Sequence, residues 1–198
     1  MGKLIGKVTE ISLGHEDDEF CMQPTTALYA ELEGFKGDRH FSIAREAWAG
    51  DDKQPEGTIR RNERQWSAMS VEEANAIAEQ MDLKEPLTAA NLSVNMLIQG
   101  IPHFSLLPKG SIIKFPSGAE LVVEEYNPPC IGMGEKLANS LSTNSGEPLK
   151  PASFTRAAAL TRGLVGVIDV AGKIQVGDEI IVTVYKTPRW QLKISPYL

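Results

Sequence analysis

The chain has 198 residues, 42% of them hydrophobic and 23% charged, which suits an ordinary globular protein with one substantial core and is short for two full domains. A formal net charge of −6 repels phosphate backbones and anionic membrane surfaces and argues against nucleic-acid binding. No apolar run approaches a membrane span and the N-terminus lacks a signal-peptide pattern, so the expectation is one cytoplasmic domain over 1–198, with neither nucleic acid nor membrane as partner.

In chain order, KLIGKVTEIS (3–12) alternates at period 2 and predicts a half-buried strand. HEDDEF (15–20) offers carboxylates without the spacing or central glycine of a calcium loop and reads as a solvated loop. ALYAELEGF (27–35) predicts a second strand, closed by the turn GFKGDRH. In that turn Arg39 suits bidentate phosphate binding, and Asp38 or His40 can orient a neighbour or exchange a proton. The same residues also fit a solvated turn with an Asp–Arg salt bridge. From Lys36 to Trp66 little periodicity is visible, as in a long loop, and its basic island of Arg60, Arg61 and Arg64 fits a solvated face or an anion site.

Ser70 with Glu73 three residues on forms a capping box, predicting a helix that packs through Val71, Ala74, Ala78 and Met81 and is bounded by Pro86. NLSVNMLI (91–98) predicts a strand with Leu92, Val94 and Met96 on one face, and GSIIKFPSGAELVVEEY a hairpin turning at 116–118. Short helices are expected at about 134–142 and 153–161, the second capped by Ser153 and ended by Gly163. GLVGVIDVAGKIQVGDEIIVTVY (163–185) reads as a second hairpin unit, and the tail after it is expected to pack on the surface. Many strands and tight turns predict a mainly β fold, a β-barrel with a few short helices, because closure removes exposed strand edges.

Two cysteines outside any CxxC pair, and histidines scattered at 15, 40 and 103, support neither a disulfide framework nor a clustered metal site. Cys130 stands out because Pro128 and Pro129 stiffen the backbone before it, and a helix beginning nearby would set partial positive charge beside the sulfur. It is either a metal ligand or nucleophile, or a small buried residue of the core. Cys21 has no comparable setting. Arg162, at a helix–strand junction beside Gly163, is either a phosphate contact or a partner of the helix C-terminus. Walker, Rossmann, GxSxG and HExxH signatures are absent.

Five separated motifs in order, GFKGDRH, RQWSAMSVEEANAIA, ANLSVNMLIQGI, EEYNPPC and TRGLVGVIDVAGKIQVGDEI, resemble the MOSC family, named for the C-terminal domain of molybdenum cofactor sulfurase. They span about 30–183, as in a free-standing MOSC domain without an attached cysteine desulfurase or ferredoxin domain. The resemblance implies a barrel of the pyruvate kinase β-barrel type, with a cleft holding the Pro-Cys cysteine. It implies for Cys130 a role as persulfide carrier or molybdenum ligand, with Asp38, His40, Arg64, Asn91, Arg162 and Gly163 around the same cleft. Arg39 and the other arginines, with backbone N–H groups, would hold a pterin phosphate.

On that basis the expected ligand is the molybdenum cofactor (molybdopterin) or a related small sulfur-bearing anion, and the expected partner a cysteine desulfurase or redox protein in trans. Molybdenum ion binding, pyridoxal phosphate binding and catalytic activity, as sulfur transferase or oxidoreductase component, belong to the same family expectation. Two alternatives stand beside it: a non-catalytic anion-binding module with a passive Cys130, and a cysteine hydrolase pairing Cys130 with His40 or His103.

Overall fold

Strand β1 (Lys3–Gly14) is long enough to pair with three others, and this closes the sheet. A computed structural model describes residues 3–15, 20–48 and 53–188. After β1 come β2 (Met22–Thr25), β3 (Ala27–Glu31), β4 (Gly34–Phe35), β5 (Ala44–Glu46), β6 (Ile59–Arg61) and β7 (Trp66–Ser70). Helix α1 (Val71–Gln80) and β8 (Met96–Gln99) follow, then a 3-10 turn at Phe104–Leu106, β9 (Ile112–Lys114) and β10 (Glu120–Tyr126). The chain continues through helices α2 (Ile131–Ser140) and α3 (Pro151–Ala157) to β11 (Leu164–Val170), β12 (Gly172–Gln175) and β13 (Glu179–Thr183).

The barrel order is β13-β9-β10-β11-β7-β8-β1, closed by β1 on β13, with β2 extending from β1. The barrel pairs are antiparallel except β7 with β8, which are parallel. That exception follows from the connection: α1 and the segment after it carry the chain back across the barrel between β7 and β8. Inward positions at period 2, including Val8, Ala68, Ile98, Ile113, Leu121 and Val182, fill the interior. A second core, of Ile77, Leu92, Met133, Leu137 and Phe154 among others, joins the three helices to the outside of β7 and β8.

Several elements depart from expectation for local physical reasons. The strand expected over 27–35 breaks at Leu32–Glu33, where a turn doubles the chain back so that β4 pairs with β3. The strand expected over 91–98 begins only at Met96, because Asn91 and Thr88 bond to each other's backbone and side chain and hold a turn there. The closing segment is not a simple hairpin: β12 pairs with β3 in a separate sheet, while β11 and β13 enter the barrel. The unpatterned stretch after Lys36 contains the β5–β6 hairpin.

Helix α1 starts as expected, Ser70 Oγ accepting the Glu73 N–H at 3.1 Å, but ends at Gln80 before Pro86, where Asp82 takes a left-handed conformation. Helix α3 begins with Pro151 at its first turn and Lys150 as cap, so Ser153 lies inside it. Helix α2 begins three residues before the expected point, directly after Cys130. The tail beyond Lys186 lies largely outside the described residues, as do 16–19 of the acidic loop. No described helix is long and apolar enough to cross a membrane.

Gly132 and Gly134 are thus helical. A Cβ at Gly134 would lie 2.1 Å from the Pro151 carbonyl oxygen, whereas one at Gly132 would meet only the Phe20 ring at 3.1 Å. Gly134→Ala should cost about 1–3 kcal/mol by overpacking and lower Tm in thermal unfolding. Gly132→Ala, which gains helix propensity and meets a movable ring, should be much milder; equal effects would refute the close α2–α3 approach.

Candidate functional site

One buried carboxylate organises the turn after β4. Gly37, at φ +82, lets the chain reverse, and Asp38 is then carried under β1. Its Oδ2 accepts from the Gly14 N–H at 2.9 Å and from Asn95 Nδ2 at 2.8 Å. Its Oδ1 accepts from the His40 N–H at 2.9 Å and from His40 Nδ1 at 3.1 Å. Burial pushes the Asp38 pKa up, but the bonds from the His40 ring, Gly14 and the His40 backbone outweigh it and hold the carboxyl below its usual range. An ionised Asp38 can only accept, so Nδ1 of His40 carries a proton and the neutral ring keeps Nε2 as its acceptor.

His40 and Arg39 form one wall of a cavity of about 540 Å³. Arg45, Glu46 and Trp48 reach it from the β5 end of the hairpin; Arg64, Ser67, Val165 and Arg162 come from the barrel side. Asn127, Pro128, Pro129 and Cys130 form the opposite lip, with Met133, Ser93 and Phe20. Cys130 is exposed, caps α2 with an extended backbone and makes no capping bond with its side chain. Its sulfur is therefore not occupied as a helix cap. His40 shares this cavity with Cys130, whereas His103 does not line it.

Two arginines stand behind the cysteine. Arg162 is 5% exposed, donates through Nη2 to the Leu92 carbonyl at 2.5 Å and lies over the Phe154 ring at 5.8 Å. Its Nη1 is buried and has no hydrogen-bond partner. Burial, and next the charge of Arg64, push its pKa down to about 10, against the opposing pull of Cys130 and Tyr126. Arg64 donates to Asn127 Oδ1 at 3.2 Å; its pKa is lowered by burial, then by Arg45 and Arg39, while Cys130 raises it. Each guanidinium is thus close enough to Cys130 to feel its charge.

The other expected contacts lie elsewhere. Asn91 belongs to its turn with Thr88 and does not line the cavity. Gly163, at φ +92, gives its N–H to Ser105 Oγ and its carbonyl to Asn127, and a Cβ there would fall 2.2 Å from the Ala68 oxygen. It positions the start of β11, directly after Arg162. Arg60 pairs with Glu63 at 2.6 Å and Arg61 with Glu124 at 2.7 Å, so the basic island divides and only Arg64 reaches the site. Asp38 bonds His40 and Asn95, not Arg39 as the salt-bridge alternative supposed.

Three positioning residues escaped the sequence reading. Asn95 ties Asp38 to Ser67 and Ser12. Asn127 ties the segment between β10 and Cys130 to Arg64 and Gly163. Lys136 Nζ donates to the carbonyls of Phe20, Ala90 and Asn91 and to Ser93 Oγ, fixing the lip opposite His40. An asparagine breaking an apolar run was the one available signal for Asn95. Among the described residues no group of three or more His, Cys, Asp or Glu side chains could hold a metal ion by itself.

Asp38→Asn puts an amide donor among four donors and should destabilise the protein by about 1–3 kcal/mol at neutral pH. Because the folded carboxyl titrates below its ordinary 3.8, this contribution is fully present above that pH and is lost as pH falls through the lower folded value. Urea unfolding of both proteins from pH 7 to pH 2 should show curves that converge only below pH 3.8; a constant gap would mean that the carboxyl is not responsible.

The MOSC domain family model matches residues 37–181. YuaD of Bacillus subtilis (strain 168), named for metal-sulfur cluster biosynthesis, is 37% identical over 167 residues, covering 84% of this chain and 85% of YuaD. The crystal structure of Bacillus subtilis YuaD superposes with a TM-score of 0.86 at 31% identity, over 93% of this chain and 99% of that one. YiiM from Geobacillus stearothermophilus, at 13% identity, shares the fold alone, with a TM-score of 0.60 over 90% of this chain and 75% of YiiM. The motif order, the closed barrel and these matches agree: the chain belongs to the MOSC family.

Proposed function

We propose that the cavity binds an anionic, sulfur-bearing ligand of the molybdenum-pterin class and that Cys130 is the protein's working sulfur, as metal ligand or as carrier of a persulfide. The observation that carries this is Cys130 itself: an exposed thiol at the head of α2, on the lip of a cavity backed by Arg64 and Arg162. The metal-sulfur role in the name of YuaD supports the same direction.

The residues fit such a group. The buried Nη1 of Arg162 is a donor in want of an acceptor, and guanidinium geometry suits a phosphate. Thiolate is a soft donor appropriate to a sulfur-ligated metal, and one cysteine suffices where the organic carrier brings further ligands. A volume of about 540 Å³ is in the range of small-molecule and cofactor sites. When bound, the group would supply a redox-active metal. The chain's own residues would anchor the anion at Arg162 and Arg64, present the sulfur at Cys130, and offer Nε2 of His40 to take up or return a proton. No lysine is among the described lining residues to hold pyridoxal phosphate as a Schiff base. Such chemistry belongs to a cysteine desulfurase acting in trans, the expected sulfur donor in a cytoplasmic setting.

Purification under reducing, anaerobic conditions, followed by separate exposure to the molybdenum-pterin group and to inorganic polysulfide, tests the proposal. Metal analysis should find molybdenum retained, or mass spectrometry should find a persulfide on Cys130, and Cys130→Ser should lose that signal while staying folded. Wild-type protein that takes up neither, or a Cys130→Ser variant that retains both, overturns it.

A further inference from the structure

The guanidiniums behind Cys130 raise a question of charge. Burial, and after it the charges of Arg45 and Arg39, depress the pKa of Arg64, and burial followed by Arg64 depresses that of Arg162, so two guanidiniums lie close together in the cavity lining. Arg162 is locked by the Leu92 carbonyl and the Phe154 ring, so it cannot swing into solvent. Its Nη1 is buried without a partner. A fixed, half-satisfied guanidinium beside a second one and an exposed thiol is suited to holding an anion with more than one charge against the sulfur.

We infer that Cys130 draws sulfur directly from a small sulfane-sulfur oxyanion, of which thiosulfate is the simplest, bound by Arg162 and Arg64. This rests on the persulfide-carrier limb of the proposed function and gives Cys130 a small-molecule sulfur donor beside the desulfurase acting in trans. In water a thiolate and a thiosulfate dianion repel each other; two guanidiniums at the meeting point neutralise two of the three negative charges, and the effect is strongest where burial limits screening. The Cys130 thiolate attacks the outer sulfur of thiosulfate, a sulfur–sulfur bond forms, the bond of thiosulfate breaks, and sulfite leaves with its electron pair. Total charge is unchanged, and no external oxidant or reductant enters. The products are a Cys130 persulfide and sulfite, whose developing charge Arg162 Nη1 can meet. A nucleophilic acceptor then removes the outer sulfur and restores the thiolate. The cavity is larger than thiosulfate alone needs, leaving room for that acceptor.

Reduced full-length protein is incubated with thiosulfate, with and without cyanide as acceptor. Expected are a gain of one sulfur atom on the Cys130 peptide, sulfite release in equal amount, and turnover to thiocyanate when cyanide is present. Cys130→Ser should abolish all three. Arg162→Gln should lower kcat/KM by about a hundredfold, as for loss of one preorganised donor to a developing oxyanion, and Arg162→Lys should recover part of that loss. Arg64→Gln provides an independent arm should an Arg162 variant fail to fold, which circular dichroism checks. If polysulfide loads Cys130 but thiosulfate neither loads it nor releases sulfite, the donor assignment is wrong while the carrier role stands. Thiosulfate turnover unchanged in folded Arg162→Gln and Arg64→Gln also overturns it. If no donor loads Cys130, the carrier role on which the inference rests falls with it.

Discussion

A carboxylate with four donors around it, at 1% side-chain exposure, is the fixed point of this site. Asp38 joins the end of β1, the start of β8 through Asn95, and the turn that carries Arg39 and His40. Burying a charge is costly unless every lone pair is met, and here the donors come from three separate parts of the chain. None of the three can move without leaving the carboxylate unsatisfied. His40 inherits both its orientation and its tautomer from this arrangement, so one wall of the cavity is set by the same bonds that close the turn.

The opposite wall obeys the reverse logic. Asp38 is overcompensated, whereas Arg162 is held by one carbonyl and one ring and left with a buried Nη1. Supporting bonds continue behind it: Gly163 donates to Ser105, whose backbone N–H and hydroxyl both donate to the buried Glu73. Burial raises the Glu73 pKa more than those bonds lower it, so the charged form of this second buried group is also disfavoured. The scaffold thus satisfies what orients the site and leaves undersatisfied the cation that would meet a ligand, a pattern expected of preorganised binding.

How much of this was legible in the sequence depended on the range of the interactions. Period-2 runs, the Ser70 cap, the 116–118 turn and the stiff Pro-Pro-Cys step are local, and the fold class and the prominence of Cys130 followed from them and from the order of motifs. The pairing of β12 with β3, and the roles of Asn95 and Asn127, link residues far apart in the chain, 57 positions for Asn95 to Asp38 and 63 for Asn127 to Arg64. No local pattern encodes those. Arg60, Arg61 and Arg64 look equivalent in sequence, and only the folded geometry pairs the first two with the half-buried carboxylates of Glu63 and Glu124 and sends the third to Asn127.

The glycines around Cys130 show how a correct local observation can carry the wrong cause. Gly132 and Gly134 in the segment after Pro-Pro-Cys favour a turn on propensity alone, which delays the expected helix start to 134. Contact decides otherwise: without a side chain at Gly134, α2 can lie against the Pro151 carbonyl at the head of α3, and the second core forms between them. The helix then starts at Cys130 itself, so the cysteine becomes its cap and not a residue upstream of it. Its sulfur then stands at the positive end of α2 and close enough to Arg64 and Arg162 to interact with their charges. The absence of a single methyl group at Gly134 is therefore part of what puts Cys130 where both fields meet.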